Sequence, residues 1–199
     1  MVDNKRQEGS ERIREEMEST AESLRRFARE KSAIIAEVAG VIAKCVDAGG
    51  AVFFAGNGGS AAQAQHAAAE LVGRFGGVER RGYSAVALTT DTSVLTSLAN
   101  DYGYEHVFER QLEALAKSGD LFVGISTSGK SANVIKAMEI ARKLKVITVG
   151  LTGPGKNEMA DLADYLIDTS PGPTWRIQEA HLAALHMLCA EIERTLEGE

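Results

Sequence analysis

Two stretches of this chain repeat one design: an apolar run, a turn of small residues, then the start of a helix. They are FFAGNGGSAA at 53–62 and VGISTSGKSA at 123–132. A buried apolar strand that runs directly into a helix requires a crossover connection, so its neighbours in the sheet are parallel and its faces are covered by helices. Each turn also places free backbone N–H groups at the positive end of a helix dipole, which suits an anion. The second turn adds the hydroxyls of Ser126, Thr127, Ser128 and Ser131. The plain alternative is that both are only turns between strand and helix.

The rest of the chain keeps this alternation. SAAQAQHAAAELVGRF predicts an Ala-rich helix with Ser60 as its N-cap. YSAVALTT predicts a second strand, and DTSVLTSLAND a helix opening at Asp91. HVFERQLEALAKSG predicts a third helix closed by Gly119. DLFVGIS, KVITVGLTG and ADYLIDT predict three more strands, with a helix over ANVIKAMEIARKL and a last long helix from 174 to about 196. GGVERRG, at 76–82, is the expected mobile loop. Ahead of the first strand, residues from about 10 to 47 carry Leu24, Phe27, Ala28, Ile34, Ile35, Val38, Val41 and Ile42 at spacings of three and four. That length predicts two helices, with a break near Lys31 and Ser32. Such an amphipathic extension packs either on a partner subunit or on its own domain. The expected fold is α/β: a five-stranded parallel sheet sandwiched by helices, with an N-terminal helical extension. Ligands in such sheets sit at the carboxyl ends of strands, near a switch in strand order.

At 199 residues, one domain can bury a core without disulfide or metal staples. The net charge of −6 argues against nucleic acid or an anionic membrane as a partner. Cys45 and Cys189 have no metal-ligand spacing and read as buried thiols in a reducing compartment. No stretch approaches the roughly 20 apolar residues of a membrane span. The charged N-terminus lacks a signal peptide's apolar region, so the expected location is cytoplasmic.

GISTSGKS, at 124–131, matches the phosphate-binding pattern G-x-x-x-x-G-K-S of nucleotide enzymes. Its context argues against that reading. Gly124 lies inside the apolar run, so the strand should continue through it. The remaining loop, from 126 to 130, is too short to wrap a polyphosphate. No acidic strand end is placed to hold magnesium, since Asp168 comes very late. Lys130 is then a solvated loop lysine.

Catalytic residue types cluster on two helices. His66, Glu70 and Arg74 are each four apart and share one helix face. His and Glu at that spacing can also share a metal ion. A solvated ladder is the competing reading, but the surrounding alanines predict a tightly packed helix whose polar groups need partners. On the last helix, Gln178, His181 and His186 occur in RIQEAHLAALHML. Gln178 and His186 are about 80° apart around the axis and roughly 12 Å apart along it. For one ion to touch both, their side chains must lean together or come from two subunits. His106 and His181 read as structural, and His186 as the better catalytic candidate.

GNGGSAAQAQHAAAEL, TTDTSVLTSLANDYGYEHVF, GISTSGKSANVIKA and RIQEAHLAALH together resemble the sugar isomerase (SIS) superfamily, and within it the sedoheptulose 7-phosphate (phosphoheptose) isomerases. The resemblance runs from about 50 to 192, in four motifs in the right order. It implies a flavodoxin-like SIS domain over 49–199, with helices over 1–48 that belong to the same domain and help pack a homotetramer with sites between subunits. It implies conversion of D-sedoheptulose 7-phosphate to D-glycero-D-manno-heptose 7-phosphate, the first step towards the nucleotide-heptoses of lipopolysaccharide and other surface glycans. Substrate contacts fall on Asn57, Gly58, Gly59, Ser60, Glu70, Asn100, Asp101, Ser126, Thr127, Ser128, Ser131 and Gln178. Glu70 matches the family's base and His186 its acid. His66, Glu70, Gln178 and His186 match the ligands of a zinc ion, one per subunit, which some members bind. Lys130 stands where the family usually has Asn, and Trp175 where some members have Asp. A non-enzymatic relative that binds the bacterial replication initiator shares several motifs but carries Asn in place of His186, so residue 186 favours the enzyme. A phosphosugar-sensing regulator is the third reading, although nothing in the chain is basic enough for the DNA-binding domain such modules usually carry.

Overall fold

A computed structural model describes residues 2–77 and 79–198. It opens with one helix, α1 (Val2–Asp47), followed by β1 (Val52–Gly56), α2 (Gly59–Val72), β2 (Ala85–Ala87) and α3 (Thr92–Tyr102). A short 3₁₀ turn (Tyr104–His106) leads into α4 (Glu109–Leu115). Then come β3 (Leu121–Ser126), α5 (Ala132–Lys143), β4 (Ile147–Thr152), α6 (Glu158–Leu162), β5 (Tyr165–Asp168) and α7 (Thr174–Glu197).

The five strands form one parallel sheet in the order β2-β1-β3-β4-β5. The chain leaves β1 towards one edge and later fills β3, β4 and β5 towards the other. The switch in direction therefore lies between β1 and β3. Gly56 pairs with Ile125 across it, so the two small-residue turns leave the sheet side by side at the same level.

Alternation along the strands divides the core in two. Val52, Phe54, Val123 and Ile125 pack with α1, α2 and α7. Phe53, Ala55 and Phe122 pack under α4, α5 and α6 through Leu112, Val134, Met138 and Met159. Gly124 lies within β3, as its apolar surroundings predict. A Cβ there would come 2.8 Å from Val134 Cγ1, so the glycine lets α5 approach the sheet.

The expected break near Lys31 and Ser32 is absent, and α1 runs unbroken. Its stripe of Phe27, Ile35, Val38 and Ile42 is buried against the neighbouring helices. Burial of side chains of this size contributes roughly 1.5–3 kcal/mol each. Lys31 Nζ meets Asp168 Oδ1 at 2.6 Å, which ties the helix to the end of β5. This pairing also uses the one acidic strand end considered as a magnesium ligand.

Other boundaries shift. The N-cap of α2 lies two residues earlier than expected, at Gly58 with φ 55° and no side-chain cap; Ser60 is instead buried inside the helix. The second strand shrinks to three residues at the sheet edge. The third predicted helix divides into the 3₁₀ turn and α4, and it closes at Ala116 rather than Gly119. Both cysteines are buried and free. Among the described residues, no helix is long and apolar enough to cross a membrane.

Candidate active site

The two turns are bound to each other. Asn57, the first residue after β1, exchanges reciprocal amide hydrogen bonds with Asn133 in the first turn of α5, at 2.8 and 2.9 Å. The Tyr104 hydroxyl donates to Asn57 Oδ1 at 3.3 Å. In the second turn, Ser126 Oγ lies 2.9 Å from Ser131 Oγ and 3.4 Å from Ser128 Oγ. Ser131 is the N-cap of α5 but makes no side-chain bond to the helix backbone. Its hydroxyl joins the serine cluster instead. Three converging hydroxyls at a helix N-terminus form a cradle for an anion. Thr127 is half-buried beside them, while Lys130 is exposed.

Glu70 and His186 arrive from different helices. His66 and Glu70 share one face of α2, and α7 packs against that helix. His66 Nε2 lies 2.8 Å from His186 Nε2 and 3.5 Å from Glu70 Oε1. The two imidazoles meet edge to face, and the Phe75 ring packs 5.6 Å from that of His186. Glu70 and His186 are half-buried, a setting in which proton transfer is shielded but substrate can still enter. Gln178 sits eight residues earlier on α7, close to the first turn. A Cβ on Gly59 would come 2.5 Å from Gln178 Nε2, so Gly59 leaves the room this amide occupies. Gln63 Nε2 donates to the Gln178 carbonyl at 2.6 Å and fixes that end of α7.

The expected residues therefore gather unevenly. Asn57, Gly58, Gly59, Ser60 and the serine cluster line the switch point. His66, Glu70 and His186 meet between α2 and α7. Arg74 leaves the stripe for the surface, within 3.6 Å of Glu79. Asn100 and Asp101 are exposed on α3 and bond each other at 2.8 Å. His181 is fully buried, with Nε2 donating to the Thr152 carbonyl at 3.0 Å, and burial pushes its pKa down to about 4. His106 pairs with Glu109 at 2.6 Å. Both are structural, as expected. Asn133, Tyr104 and Gln63 escape a sequence reading because their partners are remote. The polar Asn just inside α5 was the single local signal.

Among the described residues, no group of three or more His, Cys, Asp or Glu side chains is arranged to hold a metal ion. The donor chemistry gathered here nevertheless suits zinc, with two imidazoles and a carboxylate, while the fourth expected ligand, the Gln178 amide, packs against Gly59 at the start of α2. Zinc–nitrogen bonds of about 2.0–2.1 Å at tetrahedral angles put two nitrogens ~3.3 Å apart. The His66–His186 separation of 2.8 Å needs a small side-chain rotation to reach this.

Comparison with known proteins places the chain in a family. The SIS domain family matches residues 17–153. The phosphoheptose isomerase of Akkermansia muciniphila is 47% identical over 95% of this chain and 99% of its own. The solved phosphoheptose isomerase GmhA from Neisseria gonorrhoeae superposes with a TM-score of 0.86 at 38% identity, over 92% of this chain and 98% of its own. A phosphoheptose isomerase structure from Francisella tularensis gives a TM-score of 0.89 at 31% identity, over 94% and 98%. The chain belongs to the SIS domain family and, within it, to the phosphoheptose isomerases.

Proposed function

We propose that this chain interconverts D-sedoheptulose 7-phosphate and D-glycero-D-manno-heptose 7-phosphate through an enediol. The observation that carries this reading is the meeting of Glu70, His66 and His186 between α2 and α7, in a chain that also carries a hydroxyl-lined turn at the sheet's switch point. An aldose–ketose isomerase needs a base that moves a proton between adjacent carbons and a second group that serves the two oxygens.

Glu70 takes a proton from C1 of the ketose and returns it to C2. His186 gives a proton to O2 and recovers one from O1, so the reaction is balanced without a co-reactant. His66, within hydrogen-bond reach of His186, orients that imidazole. Ser126, Ser128 and Ser131, with Thr127 beside them, hold the distant phosphate; their binding energy positions the reacting carbons. Asn57 and the backbone at Gly58 and Gly59 border the sugar. Asn100 and Asp101 are exposed on α3 and bond each other rather than this cluster, and sites between subunits of a homotetramer would give them a substrate to touch. His66, Glu70, Gln178 and His186 are the residues that would hold zinc, and when bound the ion supplies Lewis-acid polarisation of the carbonyl. The resemblance to the phosphoheptose isomerases extends this reading to a cytoplasmic role in supplying heptose for surface glycans such as lipopolysaccharide.

The test is turnover of sedoheptulose 7-phosphate followed by NMR, with metal analysis of the same sample. Glu70→Gln is expected to lower turnover by at least about 100-fold, the range general-base catalysis contributes, while substrate still binds. Absence of aldoheptose phosphate from the unaltered protein, with or without zinc, would sink the proposal.

A further inference from the structure

Behind the reacting pair lies an ion pair that turnover chemistry does not use. Arg80 Nε meets Glu193 Oε1 at 2.6 Å, with the Arg80 side chain 0% and the Glu193 side chain 6% exposed. Arg80 comes from the 76–82 loop, expected to be mobile; Val78 lies outside the described residues, but the flanks of the loop are anchored. Glu193 accepts from the backbone N–H groups of Phe75 and Gly76, both at 2.7 Å. Burial alone would raise the Glu193 pKa, but those two N–H groups and the Arg80 guanidinium outweigh it and hold the carboxyl below its usual range.

The remaining bonds of this pair lead to the catalytic residues. Arg80 Nη2 donates to the Glu70 carbonyl at 2.9 Å, and Nη1 to the Leu71 carbonyl at 3.0 Å. These are carbonyls of the last turn of α2, which have no partner within a helix end. Arg80 thus fastens the backbone that carries the base. On the other side, Glu193 lies seven residues after His186, on the same face of α7. It also fixes Phe75, whose ring packs on the His186 imidazole. One buried pair therefore bears on the base from α2 and on the acid from α7. A charge pair this deep is weak evidence for net stability, because desolvating the two ions offsets much of their attraction.

We propose that Arg80 and Glu193 are positioning residues that set the distance between Glu70 on α2 and His186 on α7. The inference rests on the roles assigned to Glu70 and His186 above. A change of about 1 Å in such a distance can cost on the order of 100-fold in rate. The phosphate turn is fixed separately, through the serine cluster and Asn57–Asn133, so substrate affinity should be little affected.

The test compares Glu193→Gln and Arg80→Lys with the unaltered protein. Turnover of sedoheptulose 7-phosphate by the unaltered protein first establishes the activity, so failure of that reading shows there and not in the variants. Both variants are expected to stay folded by circular dichroism, to keep KM within about threefold, and to lose roughly 10- to 100-fold in kcat. The chain has four histidines, so the imidazole ¹H–¹⁵N spectrum gives a second readout. The signals of His66 and His186 should move in both variants, while those of His106 and His181 stay. Unchanged kcat with unchanged imidazole signals would overturn the proposal. A rise in KM equal to the loss of rate would overturn it too, as would unfolding of both variants, which would make the pair a general support of the fold.

Discussion

Lys130 and Ser131 are neighbours with opposite expected consequences. Lys130 completes the nucleotide-like pattern, yet its side chain is exposed and its backbone N–H merely donates to Ser128 Oγ at 3.2 Å. Ser131 Oγ is held at 2.9 Å from Ser126 Oγ inside the proposed phosphate cradle. Lys130→Ala should change kcat/KM by less than about threefold, the effect of a remote surface charge. Ser131→Ala removes a donor to a phosphate dianion and should cost at least tenfold, in line with about 1.5–3 kcal/mol for a hydrogen bond to a charged group. Steady-state kinetics on the two variants decides this, and a larger effect at Lys130 would return weight to the nucleotide-like reading. That His66 and Glu70 share a face and need partners was legible, because one-turn spacing and an alanine-packed helix demand it; their meeting with His186 from α7 was not written in any local pattern. Nor were Arg80 and Glu193 legible, since 113 residues separate them and neither falls in a motif.

Elements were read well where the local signal and the tertiary environment agree. β3 is fully buried along its length, and its unbroken apolar run says so. α1 misled because nothing local reports its contacts with α7 or the Lys31–Asp168 bond, which carry the helix through the expected break. β2 misled in the other direction: its three residues pair with Val52, Phe53 and Phe54 only, and the chain turns at 88–89 although β1 runs on to Gly56, whatever the propensity of the residues beyond. Gly124 gives this scale its prediction. In β3 it makes room for Val134 and Met159, so Gly124→Ala overpacks the interface of α5 with the sheet. Overpacking of this kind costs typically about 1–3 kcal/mol. For a chain of this length that is a fall in Tm of roughly 2–12 °C. Because the glycine lies in the strand and not in the anion-binding turn, KM should stay within about twofold. Differential scanning calorimetry and kinetics on one sample test both halves, and a large rise in KM with unchanged Tm would place Gly124 in the binding loop.

Across the whole molecule, α7 acts as the spine of the proposed site: Gln178 at the first turn, His186 at the proposed reacting centre, Glu193 at the anchoring pair. His181 lies between them and joins α7 to the end of β4 through the Thr152 carbonyl. The next residue, Gly153, donates its N–H to the Thr127 carbonyl at 3.1 Å, so this contact also supports the phosphate turn. His181 must be neutral in the fold, with Nε2 protonated and Nδ1 buried without a partner. Its folded pKa is about 4, against an ordinary value of 6.5. As pH falls below 6.5, the unfolded chain takes up a proton at this residue and the folded chain does not. Stability is therefore fully present above 6.5 and is lost as pH falls towards 4. Over that window the loss is on the order of 3 kcal/mol, at up to about 1.4 kcal/mol per pH unit. Glu193, with its depressed pKa, pulls in the same direction at still lower pH. His181→Gln keeps a donor for Thr152 but cannot titrate. It should be less stable than the unaltered protein at pH 7 and should lose less stability between pH 6.5 and 4.5. Urea unfolding at several pH values measures both slopes. Parallel curves would mean that another group governs the acid limb, and that the neutral state of His181 is no part of what holds α7 to the sheet.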